Sequence, residues 1–127
     1  MTPVEIVNAY RGSLELSNIV LPYKEARSVA HLKKRLEKEN DIVAETERAM
    51  AEQHGGKPNL DGTYSFGSPE EAGKFRNALS EFRKQNDEID LPMVDLSKHT
   101  SLLRLSPSAV AALDGIVIFE SEADNGG

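Results

Sequence analysis

From Pro22 to Gln53 the chain runs without an internal glycine or proline, and the stretch reads as one uninterrupted helix. Val29, Leu36, Val43 and Met50 recur at every seventh position, with Leu32, Glu39 and Thr46 at the intervening one. This is the spacing of an apolar stripe on a helix, strong around Val29 to Leu36 and interrupted by polar residues further on. At about 1.5 Å per residue the helix would be about 48 Å long, more than a compact domain of 127 residues needs. Part of it is expected to project or to meet another chain.

The flanking segments complete a helical plan. Thr2-Pro3-Val4-Glu5 matches a capping box with proline at the first helical position, and Ile6, Val7, Tyr10 and Leu14 give the helix behind it an apolar face. His54-Gly55-Gly56-Lys57-Pro58-Asn59 stops the long helix. Leu60-Asp61-Gly62-Thr63-Tyr64-Ser65-Phe66 combines a turn dipeptide with alternating aromatics, which predicts a short β-hairpin. Ser68-Pro69-Glu70-Glu71 reads as a second capping box, followed by a seam of Ala72, Phe75, Leu79, Phe82, Asn86 and Ile89 that predicts a helix over 69–89. Asp90 to Leu96 looks extended, and Ser106-Pro107 opens a last helix carrying Val110, Leu113 and Val117. The expected fold is all-α: a long antiparallel helical hairpin of 22–53 and 69–89, a short β-hairpin at its tip, and flanking N- and C-terminal helices. Residues 1–120 form a single helical domain in this reading, and 121–127 a frayed acidic tail.

This order of elements resembles a family of short proteins of unknown function encoded by tailed bacteriophages. The resemblance is carried by Ala26-Arg27 opening the charged helix, the Gly55 to Phe66 segment with its Asp61-Gly62-Thr63-Tyr64 turn, and the Phe75 to Phe82 helix. Asp90-Leu91 leading to Leu96, Leu105-Ser106-Pro107 and Ala112-Leu113-Asp114 extend it over most of the chain. It implies a viral origin and a role in infection, and it transfers no catalytic residue.

Chemistry is excluded more readily than found. The absence of cysteine removes disulfides, thiolate metal sites and cysteine nucleophiles. His31, His54 and His99 lie far apart, none with a carboxylate or second histidine at the spacing of a helical zinc site. Acid pairs such as Glu45/Glu47 and Asp87/Glu88 point different ways on helices and read as solvated faces. His54-Gly55-Gly56-Lys57 lacks the strand and Lys-Ser/Thr ending of a phosphate loop, and the serines lack a nucleophile elbow. No enzyme activity, metal or cofactor is expected. No apolar run spans a bilayer and the first residues lack the pattern of a signal peptide, so residence in the cytoplasm of the infected bacterial host is expected. A net charge of −6 argues against general nucleic-acid binding.

Basic character is nevertheless concentrated between Tyr23 and Lys38, where Lys24, Arg27, Lys33, Lys34, Arg35 and Lys38 face only Glu25 and Glu37. Lys24, Arg27, His31, Lys34, Arg35 and Lys38 share one helical face away from Val29, Leu32 and Leu36. They are the candidate ligand-binding residues, suited to a phosphate-bearing small molecule or an acidic host protein. A structural role competes with that reading. If helices 22–53 and 69–89 pair around the tip, facing residue numbers sum to about 122, which sets Arg76 near Glu45 and Glu47, Arg83 near Glu39, Asp87 near Arg35 and Glu88 near Lys34. Much of the basic face would then be the rim of an internal helix pair, leaving Lys24, Arg27 and His31 free.

Residues 39–53 of the long helix carry Glu39, Asp41, Glu45, Glu47 and Glu52 against Arg48 alone, so its charge order opposes the helix dipole. Two copies placed antiparallel would match positive halves to negative ones, which favours a homo-oligomer, a dimer or dimer of dimers. The functional expectation is a non-enzymatic phage accessory protein that binds and sequesters or blocks a host component, a defence protein or an anionic nucleotide-like signal. The alternative is a virion or head-and-tail assembly component acting through helix-mediated contacts.

Overall fold

The computed structural model describes residues 1–120; the expected acidic tail, 121–127, lies outside them. Four helices dominate: α1 (Pro3–Ser17), α2 (Tyr23–Gln53), α3 (Pro69–Arg83) and α4 (Pro107–Leu113). Four two-residue strands form two small sheets, with β1 (Lys57–Pro58) antiparallel to β2 (Tyr64–Ser65) and β3 (Val94–Asp95) parallel to β4 (Val117–Ile118). A single 3-10 turn, Thr100–Leu102, lies between β3 and α4.

Local chemistry accounts for the helix ends. Thr2 Oγ1 accepts from the Glu5 amide at 3.2 Å while the Thr2 amide donates to Glu5 Oε1 at 2.9 Å, the reciprocal capping box. Ser68 caps α3 by accepting from the Glu71 amide, without the return bond from Glu71, and Ser106 caps α4 by accepting from Ala109. Where α2 stops, the Gly55 amide donates to the Glu52 carbonyl at 3.0 Å and the Gly56 amide to the Ala51 carbonyl at 2.8 Å, with Gly55 at φ 78°. This is a Schellman ending, which needs a residue free to enter the left-handed region. Asp61 Oδ1 accepts from both the amide and hydroxyl of Thr63 to fold the β1–β2 turn.

The core is built on α2. Val29, Leu32 and Leu36 pack with Ala9 and Leu16 of α1, Val94 and Leu96 around β3, Leu113 of α4 and Val117 of β4. The five-residue connection after α1 makes α1 and α2 antiparallel neighbours, and α1 is the helix that α2 touches most. Val43 and Ala51 continue the buried stripe along the distal half of α2, on the side where α3 returns. Gly12 lets α4 close on α1: a Cβ there would stand 3.1 Å from Leu113 Cγ and 3.3 Å from the Ala109 carbonyl oxygen.

Three sequence expectations are corrected. Helix α3 ends at Arg83 and not at Ile89, and the chain beyond it turns toward α1, where Asp87 and Met1 exchange backbone hydrogen bonds. The register summing to about 122 is not adopted, because Arg83 Nε donates to Glu47 Oε1 at 3.1 Å, two turns from Glu39, while Arg35 pairs with Glu39 within α2. Its premise was a helix long enough to reach the basic half of α2; that half is occupied by α1. Val117 belongs to β4 and not to α4: the backbone leaves the helix at Asp114 (ψ 133°), and Gly115 at φ 81° completes a turn that delivers Val117 beside Val94. The β1–β2 hairpin forms where the turn residues pointed, with Lys57–Pro58 as its first strand.

Leu32 is fully buried and Ile42, about 80° round the same helix, is half-exposed. Leu32→Ala is expected to cost about 2–5 kcal/mol by urea unfolding, and Ile42→Ala less than about 0.5 kcal/mol. Equal effects would mean that the stripe is not the core.

Candidate functional site

The basic face of α2 is set by helical periodicity. Lys24, Arg27, His31, Lys34 and Lys38 fall within an arc of about 80°, centred well away from the buried stripe, and extend over about 21 Å. All five are exposed. None of them makes an ion pair among the described residues. Arg35 is the exception, half-buried and bound to Glu39 one turn on. The six candidate residues are thus brought onto one surface, five of them exposed and Arg35 engaged with Glu39.

Glu25, one of two acids in this stretch, faces His99 Nε2 at 3.3 Å and belongs to the packing between α2 and the segment after β3. Past Lys38 the exposed face changes sign through Asp41, Glu45 and Glu52, all exposed. One side of α2 therefore presents an uncovered strip, basic in its first half and acidic in its second.

Two concavities lie elsewhere. A shallow groove of about 970 Å³ runs between α1, the 89–93 segment and α4, bordered by Glu5, Arg11, Glu15, Asp90 and Asp114 over a floor of small residues including Gly12 and Ala109. Its carboxylates are partly committed. Glu15 accepts from the Ser106 amide at 2.9 Å and from Ser106 Oγ at 2.7 Å, while Ser106 Oγ caps α4. These bonds, the backbone one foremost, hold the Glu15 carboxyl below the usual glutamate range.

A second cleft, about 530 Å³, opens between the β1–β2 hairpin, α3 and α2, and contains Tyr64, Phe66, Phe75, Leu79, Arg76 and Arg83. Sequence reasoning missed it because Tyr64 and Phe66 were explained by strand alternation and Phe75 and Leu79 by a helix seam. The available signal was that Arg76 and Arg83, seven residues apart, flank Leu79 on neighbouring positions of that same helix.

Among the described residues, no group of three histidine or carboxylate side chains is placed to hold a metal ion, and no helix is long and apolar enough to cross a membrane. Comparison with protein-family models, curated proteins and solved structures finds no match for this chain.

The depressed Glu15 carboxyl has a definite sign in stability. Its contribution is fully present above the ordinary glutamate value of 4.5 and is lost as pH falls through the lower folded value. Glu15→Gln is expected to lower the melting temperature at pH 7 and to flatten the fall in melting temperature below about pH 4.5. Thermal melts of both proteins between neutral and acid pH check this; parallel curves would show that the ionised form is not favoured by folding.

Proposed function

We propose that the protein is a non-enzymatic accessory protein of a tailed bacteriophage that acts in the cytoplasm of the infected cell by stoichiometric binding, sequestering or blocking an acidic host protein or a phosphate-bearing small molecule. The observation that carries this reading is the exposed basic strip of α2, five side chains without an ion-pair partner among the described residues, on a protein of net charge −6. Exposed cations on a rigid helix are arranged to receive phosphate or carboxylate, and each charge-assisted contact contributes roughly 1.5–3 kcal/mol. In this reading α2 and α3 act as one long antiparallel hairpin that holds the strip clear of the α1–α4 side of the molecule.

The change of sign along the same strip supports self-association. Two α2 helices crossing antiparallel about an axis near Glu39 and Asn40 would set Lys38 against Asp41 and Lys34 against Glu45 of the second copy, an estimate from equal rise along both helices. In the same register Arg27 would face Glu52 and His31 would face Arg48 of the second copy, so that Lys24 alone stays beyond the overlap at each end of the pair.

Two measurements test these parts separately. Protein recovered from phage-infected cells and examined by native mass spectrometry is expected to carry a host protein or a phosphate-bearing molecule. Changing Lys24 and Arg27 to glutamate should weaken that binding by about tenfold or more. Turnover of the bound molecule, or recovery only with capsid and tail proteins, would overturn the assignment. Light scattering over a concentration series in low salt is expected to show a dimer that dissociates in Lys34→Glu/Lys38→Glu without a fall in melting temperature. A monomer at hundreds of micromolar would remove the self-association.

A further inference from the structure

The cleft at the hairpin end of α2 combines two features that no folding requirement joins. Tyr64 opens β2 and Phe66 follows directly after that strand. Both meet Phe75 of α3: the Tyr64 ring stands edge-on with centroids 5.9 Å apart, and the Phe66 ring is tilted by 32° at 5.2 Å. Phe75 is buried by these contacts, whereas Tyr64, Phe66 and Leu79 stay half-exposed along a cleft of about 530 Å³, within the range of small-molecule sites. An apolar satellite core would close over such rings. This one is left open.

Its charged groups are Glu47, Arg83 and Arg76. Glu47 is committed to Arg83 at 3.1 Å, and Arg76 is exposed with no ion-pair partner among the described residues. The lining is therefore net positive in an acidic protein. A neutral aromatic molecule would leave Arg76 unused, and a bare phosphate would leave the aromatic wall unused. The overall negative charge disfavours a nucleic-acid strand.

We propose that this cleft binds a free nucleotide-class molecule, its planar ring against Tyr64 and Phe66 and its phosphate at Arg76, with Arg83 alongside. Stacking on aromatic side chains and a forked guanidinium contact to phosphate are the two interactions that such a ligand needs. The site does not rest on the basic strip of α2: Glu47, on the cleft, is about 30 Å along the helix from Arg27.

Amide chemical shifts of isotopically labelled protein, titrated with AMP, adenosine and inorganic phosphate, test this. AMP is expected to move the resonances of residues 62–66 and 72–79 and to bind about tenfold or more tightly than either adenosine or phosphate. Arg76→Glu should weaken AMP by about tenfold or more and leave adenosine unchanged, and Tyr64→Leu should weaken AMP and adenosine alike. Arg76 is exposed, so its variant keeps the fold. Absence of shifts at millimolar AMP, or equal AMP affinity in Arg76→Glu, would overturn the proposal. Shifts confined to residues 24–38 would do so too, and would move the nucleotide to the strip on α2.

Discussion

One apolar stripe on one helix organises the molecule. Val29, Leu32 and Leu36 of α2 belong to one buried cluster with residues of α1, α4 and the β3–β4 sheet; α1 and β3 lie directly against α2, and α4 joins by packing on α1. Burial of three such side chains offers several kcal/mol, enough to hold a helix whose own start is weak. Pro22 at the head of α2 makes no side-chain cap. The stability of α2 near its beginning is thus tertiary rather than local, as expected where packing dominates propensity.

What surrounds the stripe is fitted by polar detail. Glu15 reaches from α1 to the cap of α4, and a single serine oxygen serves both the carboxylate and the first turn of the helix. Gly12 gives that crossing its closeness, because Leu113 and the Ala109 carbonyl already stand where a side chain would begin. The parallel pairing of β3 with β4 follows from the same geometry. A parallel pair needs a crossover between its strands, and the 3-10 turn with α4 supplies it. At the far end Phe66 lies over Gly56, where a Cβ would meet the ring at 2.8 Å, so the hairpin folds back against the Schellman ending of α2.

Features written in neighbouring residues were legible in the sequence: the Thr2 capping box, the seven-residue spacing, the Gly55-Gly56 stop and the hairpin turn. What depended on partners distant in the chain was not. The stripe on α2 announces that something covers it, but not that α1 does so over the basic half. Ile89 continues the α3 seam on paper, yet the helix ends where Met1, 86 residues away, takes the Asp87 backbone. Val117 fits the spacing of α4 until the backbone turns at Asp114 and Gly115. For the candidate site, periodicity placed Lys24 to Lys38 on one exposed face, whereas the loss of Arg35 to Glu39 depended on side-chain choice. The aromatic cleft depended on the hairpin folding against α3, which no local spacing encodes.

The charges of α2 carry information that folding does not explain. A helix is stabilised by acids near its start and bases near its end, each by roughly 0.3–1 kcal/mol within the terminal turns, and an i,i+4 pair is better with the acid first. Here the last turn has no base, the basic residues crowd the first half, and the Arg35–Glu39 pair runs in the less favourable order. Nor do Lys24, Arg27, Lys34 and Lys38 pair with acids among the described residues, and Glu25 beside Lys24 is turned to His99. An arrangement that neither the helix nor the core prefers is most simply maintained by what meets it from outside. Because the strip is basic and then acidic, the proposed second copy would set each basic half against an acidic one, Arg27 facing Glu52 as Lys34 faces Glu45. Such a dimer would hold the two Lys24 ends at opposite ends of one assembly, raising the effective concentration of sites for any partner able to span both.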